Sequence, residues 1–142
     1  MITKILKKMF LFVTISSFCF NLHAADWTMA SGYPKSNFHT QNIIKFIDDV
    51  KSTTSVNINL NPNDTLIKLD AIKTSLQRGQ IPIGEIRLGI YGNEDPMYIL
   101  AGLPFIAPDY SSAWMLKDVQ MEYLQKKFDK KGLMILYTAP WP

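Results

Sequence analysis

Along residues 27–76 the apolar side chains change spacing from strand-like to helix-like, back, and back again, and this alternation limits the fold more than any other feature. A short apolar run at residues 27–31 stops at Gly32, Tyr33 and Pro34 and reads as a strand ending in a loop. Ser36 is a candidate N-cap for the helix that follows, where Phe38, Ile43, Ile44, Phe46, Ile47 and Val50 recur at three- and four-residue intervals. Val56, Ile58 and Leu60 then alternate with Asn57 and Asn59, the period of a strand with one buried face, and Pro62 and Asp64 close it. Leu66, Leu69, Ile72 and Leu76 share one face of a second helix, with Gly79 placed for a left-handed cap.

Residues 81–90 read as a third strand, with its alternation broken at Gly84 and Glu85. Residues 91–109, with two glycines and three prolines, read as a long ordered loop. Ser111 or Ser112 then caps a third helix with Leu116, Val119, Tyr123, Leu124 and Phe128 facing inward, ended by Gly132. Residues 133–137 read as a fourth strand.

Strand and helix alternating in units of 25 to 30 residues is the βαβ pattern, which joins parallel strands by right-handed crossovers. The expected fold class is therefore α/β: an open, mostly parallel sheet with flanking helices. At 142 residues the chain has room for one domain or one lobe. In such sheets ligands bind beyond the carboxyl ends of the strands, which marks residues 31–37, 61–64 and 85–93. The sequence stops at Pro140-Trp141-Pro142 directly after a strand, and the expectation is the front part of something longer.

Residues 1–24 carry Lys4, Lys7 and Lys8, then a largely apolar run over residues 9–20, then small residues before Asp26, the signature of a secretory signal peptide. That run is short of the roughly 20 apolar residues that span a bilayer, so a cleaved leader is expected, with Ala24 as the last residue removed. Cys19 leaves with it, and the remaining chain has no disulfide or thiol chemistry. Without the leader, twelve basic residues face twelve acidic ones, so a footprint for nucleic acid is absent.

Among candidate site residues, Glu85 reads equally as a solvated loop glutamate or as an acceptor for a ligand's hydroxyl or amino groups. Arg87 is either an ordinary strand-surface arginine or a bidentate carboxylate partner. Ser31, Tyr33 and Ser36 lie at the start of the first helix, where free amides favour an anion, though capping alone accounts for Ser36. Asn93 opens the string Asn93-Glu94-Asp95-Pro96, better explained as a locally bonded turn than as a cation site. His39, the one histidine outside the leader, cannot make a transition-metal site without cysteines, and no motif marks a nucleophile for it. No cofactor is expected. Trp114, Tyr123 and Phe128 are assigned to the packing face of the third helix, and Lys126, Lys127, Lys130 and Lys131 to its solvated end.

The stretch DWTMASGYPKSNFHTQNIIKFIDDVKSTT resembles the opening of the solute-binding subunits of tripartite ATP-independent periplasmic (TRAP) transporters of the DctP type. The run RGQIPIGEIRLGIYGNEDPMYILAGLPFIAPDYSSAW resembles them more specifically, through Gly79, the Gly84-Glu85 step, the Asn93–Pro96 string and the Leu103-Pro104-Phe105 turn. The resemblance implies residues 25–142 as an incomplete N-terminal lobe of a two-lobed, periplasmic-binding-protein-like fold. It also implies a non-enzymatic periplasmic protein that catches a small organic acid and passes it to TRAP permease subunits in the membrane, for uptake driven by an ion gradient. The chain left after cleavage would not be membrane-embedded. Glu85 matches the family position after the third strand that contacts the ligand's polar body, and Ser31, Tyr33, Ser36, Arg87 and Asn93 complete the expected ligand-binding set. The family's clamp arginines would lie beyond Pro142. The competing readings are an exported α/β hydrolase or transferase, for which no nucleophile-elbow string is present, and a membrane-tethered interaction domain if the leader is retained.

Overall fold

The computed structural model describes residues 25–140. The leader assigned to residues 1–24, with Cys19, and the closing Trp141 and Pro142 lie outside the described residues.

Strand β1 (Asp26–Ala30) is the middle of a three-stranded parallel sheet, with β2 (Asn57–Asn61) on one side and β3 (Ile83–Gly84) on the other. Helix α1 (Phe38–Thr53) links β1 to β2, and α2 (Leu69–Gln77) links β2 to β3. Successive strand residues face opposite sides. Met29 accordingly joins Ile43, Ile58 and Ile83 in a core against Phe46, Ile47 and Val50 of α1. Its neighbour Ala30 joins Ile72 and Ile81 in a core against Leu69 and Leu76 of α2. The expected α/β architecture is thus present, one helix on each face of a parallel sheet. Ile72 is fully buried, so truncating it to alanine costs about 2–5 kcal/mol.

The register sets the three strand ends level: Ala30 pairs with Asn61 and with Gly84. The loop leaving β1 lies so close to α2 that a Cβ at Gly32 would sit 2.6 Å from the Cβ of Leu69. Asn63 and Asp64, which follow β2, both adopt left-handed backbone (φ 59° and 57°), a conformation that short polar side chains tolerate better than others. Gly79 (φ 66°) and Gly132 (φ 70°) stand past the ends of helices, as expected.

Five sequence expectations need correction. The third strand spans two residues rather than residues 81–90. The N–H of Glu85 still donates to Ala30 O at 2.9 Å, but β1 ends at Ala30, so no ladder remains for Ile86 onward. The chain turns instead into a 3-10 helix, Leu88–Tyr91, and two more such turns, Pro96–Tyr98 and Leu100–Gly102, order the loop. The caps also differ. Asn37, not Ser36, caps α1 by accepting from His39 N at 2.9 Å. Asp109, not Ser111 or Ser112, caps α3 (Tyr110–Asp129) by accepting from Ser112 N at 2.8 Å. Both residues have the extended backbone and the short acceptor that an N-cap needs.

Helix α3 buries Gln120, Leu124 and Phe128 over Tyr91 and Tyr98, while Val119, expected inside, is 79% exposed. Residues 133–140 form no strand. No described strand lies alongside them, and the Ile135 N–H turns to the Gln125 side chain at 3.3 Å. The rings of Phe46 and Tyr137, 5.3 Å apart, hold this segment against α1.

Candidate functional site

The residues immediately after the level strand ends meet as the topology requires. Ser31, fully buried, donates its N–H to Asn61 O at 3.0 Å and accepts from Asp64 N at 3.2 Å, which stitches the first two loops together. Its hydroxyl accepts from Tyr33 N at 3.3 Å and donates to Glu85 Oε2 at 2.5 Å. The Ser31 hydroxyl reaches the Glu85 carboxylate through Oε2, and the charge of Glu85 acts on the phenols of Tyr33 and Tyr137. Burial pushes the Glu85 carboxyl above the usual glutamate range, against the opposing pull of the Ser31 hydroxyl.

Tyr33 and Arg87 complete this polar floor. Burial raises the Tyr33 phenol; Arg87, in charge and hydrogen-bond contact with it, pulls it down, and the charges of Glu85 and Asp64 push it up. The Tyr33 carbonyl accepts from Asn63 N at 2.9 Å and from the Thr40 hydroxyl at 3.3 Å, so both neighbouring segments hold the loop. His39 lies buried behind it, its ring 6.2 Å from that of Tyr33, and burial lowers its basicity. Of the six residues marked in the sequence, Ser31, Tyr33, Glu85 and Arg87 come together. Ser36 is exposed on the turn before α1, and Asn93 is exposed between two 3-10 turns. The structure gives neither a contact with the floor.

A half-open aromatic groove of about 300 Å³ is walled by Phe38, Tyr110, Trp114 and Tyr137 with Asn42, Thr138, Ala139 and Pro140. Burial raises the Tyr137 phenol first, and the charge of Glu85 raises it further. Trp114 is half exposed on this groove, with Lys117 Nζ 4.8 Å from its ring centroid, rather than on the packing face of α3. The Thr138 hydroxyl is buried with no hydrogen-bond partner among the described residues. Sequence reasoning missed this wall because its residues come from three remote segments. The signal available was the clustering of Phe38, Tyr110 and Trp114 in the first turns of two helices.

A second acidic constellation lies on the far side of Tyr91. Glu94 pairs with the buried Lys73 and, at 2.5 Å, with Lys131. Asp95 accepts from Met97 N at 3.0 Å, from the Tyr123 hydroxyl at 2.7 Å and from Lys127 Nζ at 2.8 Å. Lys127 and then Tyr123 hold the Asp95 carboxyl at about 2, and Lys131 and Lys73 lower that of Glu94. The Asn93–Pro96 string is thus a bonded turn, as expected. Lys127 and Lys131, however, are not a solvated helix end: they tie α3 to that turn. Among the described residues no group of three or more His, Cys, Asp or Glu is placed to hold a metal ion, and no helix is long and apolar enough to cross a membrane.

No family model and no curated protein matches the chain. Solved structures do. The chain is similar to DctP6 of Bordetella pertussis, an extracytoplasmic solute receptor binding pyroglutamic acid, at 40% identity and a TM-score of 0.81 over 83% of its residues. It is 34% identical to DctP7 of the same organism, also a pyroglutamic acid receptor, with a TM-score of 0.80 over 84%. A marine metagenome TRAP solute-binding protein specific for pyroglutamate is 32% identical, with a TM-score of 0.80 over 85%. The chain spans 40% of the length of each of these three proteins.

Proposed function

We propose that this chain belongs to the solute-receptor family of TRAP transporters and forms one lobe of a receptor that captures a small organic acid. The observation that carries the proposal is the half-buried Glu85 carboxylate at the end of β3, held by the Ser31 hydroxyl through Oε2, with Tyr33 and Arg87 nearby. An acceptor and a cation that both act on Tyr33 suit a ligand with both an N–H or O–H donor and a carboxylate. Pyroglutamate has both, a ring N–H and a carboxylate, and is the ligand of the three similar receptors.

In this reading residues 1–24 are removed as a signal peptide, the remainder works in the periplasm, and residues 25–142 supply one lobe of the cleft. Glu85 receives the ligand's donor, Arg87 its carboxylate, and Tyr33 lines the entrance, while Ser31 is a positioning residue. Ser36 and Asn93 drop out of the contact set. Closure of two lobes over a ligand that touches both stabilises the closed form. The closed receptor then delivers its cargo to membrane permease subunits, and no covalent step on the ligand is involved.

The test is thermal melting of the full gene product against a panel of acids and neutral solutes. Pyroglutamate at about 100 times its Kd stabilises by roughly 2.7 kcal/mol, a clear rise in midpoint. A rise with neutral sugars or amides and none with carboxylates overturns the assignment.

A further inference from the structure

The Ser31 hydroxyl points to Glu85 because the other polar groups of Ser31 are already engaged. Its N–H donates to Asn61 O at 3.0 Å, its carbonyl accepts from Asp64 N at 3.2 Å, and its Oγ accepts from Tyr33 N at 3.3 Å. The hydroxyl proton is left for Glu85 Oε2 at 2.5 Å. Tyr33 is held in turn, its carbonyl accepting from Asn63 N at 2.9 Å. Two adjacent N–H groups of the loop after β2 thus fasten the two residues that aim the hydroxyl. Both belong to left-handed backbone, Asn63 at φ 59° and Asp64 at φ 57°. Such backbone is uncommon away from glycine and costs energy that the surroundings must offset. Both side chains are exposed, so core packing does not account for the pair. Asp64 also links the floor to α2: its Oδ1 accepts from Leu69 N at 2.8 Å, where the side chain of Lys68 makes no cap. Leu69 is the residue that lies against Gly32, between Ser31 and Tyr33.

We propose that Asn63 and Asp64 are positioning residues for ligand binding, whose left-handed backbone holds the Ser31 hydroxyl on the Glu85 carboxylate and so sets the affinity for the acid. The inference rests on the preceding reading, in which Glu85 receives the ligand's donor. What matters at position 63 is then the handedness of the backbone and not the side chain. Glycine adopts positive φ as readily as negative, whereas valine, branched at Cβ, opposes it. At position 64 the side chain counts as well, since it must reach Leu69 N; asparagine meets both demands and valine neither.

Calorimetric titration of the full gene product with pyroglutamate tests this. Asn63→Val and Asp64→Val should each weaken binding about tenfold, by opposing the backbone on which the floor is built. Asn63→Gly and Asp64→Asn should bind within about twofold of wild type. Asn63→Ala, which opposes positive φ less than valine does, should fall between and serves if the valine variants do not fold. Two readouts separate positioning from a merely structural role. The Glu85 carboxyl, followed by carbon-detected NMR without ligand, should titrate higher in Asn63→Val than in wild type, because the hydroxyl that pulls it down has moved. In a Glu85→Gln background Asn63→Val should cost less than about twofold, since the group it acts through is gone. Valine variants that melt lower yet keep wild-type affinity overturn the proposal. So do equal losses from glycine and valine at position 63, a loss that persists in full beside Glu85→Gln, or an unmoved Glu85 titration. If Glu85→Gln itself binds pyroglutamate as wild type does, the reading of the floor fails and the affinity claim with it, while the ligand-free titration decides the aiming of the hydroxyl on its own.

Discussion

Two acidic regions lie on either side of the segment from Glu85 to Asp95, and their carboxylates are treated in opposite ways. Glu94 and Asp95 are surrounded by Lys73, Lys127 and Lys131, and their carboxyls sit below the ordinary range, Asp95 at about 2. Glu85, half-buried at the end of β3, has a serine hydroxyl for its partner and sits above the ordinary range. A carboxylate whose lone pairs are satisfied by cations fastens structure together. One that is desolvated is poised to gain from an arriving donor. The first region anchors the turn that carries Tyr91, whose hydroxyl donates to Leu69 O at 3.3 Å and so fixes the chain that leaves Glu85 and Arg87. The second presents the acceptor.

Glu85→Gln should break the comparison most visibly. Replacing a charge-assisted hydrogen bond to the ligand costs about 1.5–3 kcal/mol, or roughly tenfold to a hundredfold in Kd for pyroglutamate, by calorimetry. The same substitution should leave the unliganded melting temperature unchanged or raised. Because burial raises the folded-state pKa above the reference 4.5, stability from this group is complete below pH 4.5 and is lost as pH rises through the folded value. Glutamine removes that loss. A fall in stability at neutral pH with affinity intact would place Glu85 among the structural acids.

Asp95→Asn should act in the reverse sense, lowering the melting temperature by several degrees with a much smaller change in affinity. Its carboxyl is depressed from 3.8 to about 2, so its contribution is present above pH 3.8 and is lost as pH falls toward 2. The wild-type melting temperature should therefore drop over that interval more steeply than the variant's, which acid-range melts would show.

Ser31→Ala tests whether the hydroxyl aligns Glu85. Removing it leaves burial unopposed, moves the Glu85 titration further upward, and weakens pyroglutamate several-fold. Carbon-detected NMR titration of the Glu85 carboxyl reads the first effect directly. The smallest change is expected at Lys126→Ala, whose pairing with Glu122 at 2.6 Å joins two exposed side chains one helical turn apart. Such a pair contributes little in water, and the melting temperature should stay where it is.

How far the sequence foretells these two regions differs. β1, β2, α1 and α2 are legible because each buries one face, so Val56, Ile58 and Leu60 or Leu69, Ile72 and Leu76 display their period directly. Glu85 is legible too, since Gly84 breaks an apolar run at the point where an α/β sheet binds ligands. The end of β3 is not, because it is dictated by where β1 stops, more than fifty residues earlier. The lysine clamp hides for a similar reason: Glu94 and Lys131 are 37 positions apart and meet only when α3 folds back. The caps are missed more narrowly, with Asn37 and Asp109 near serines of similar capping chemistry. Trp114 misleads because an aromatic residue on a helix usually packs inward, whereas here the helix start faces the groove.

The most direct test of the account is a crystal structure of the full gene product bound to pyroglutamate. It should place the ligand's N–H within hydrogen-bonding distance of Glu85, with Ser31 still donating to the opposite carboxylate oxygen. A ligand bound away from this floor, with Glu85 facing solvent, would contradict it.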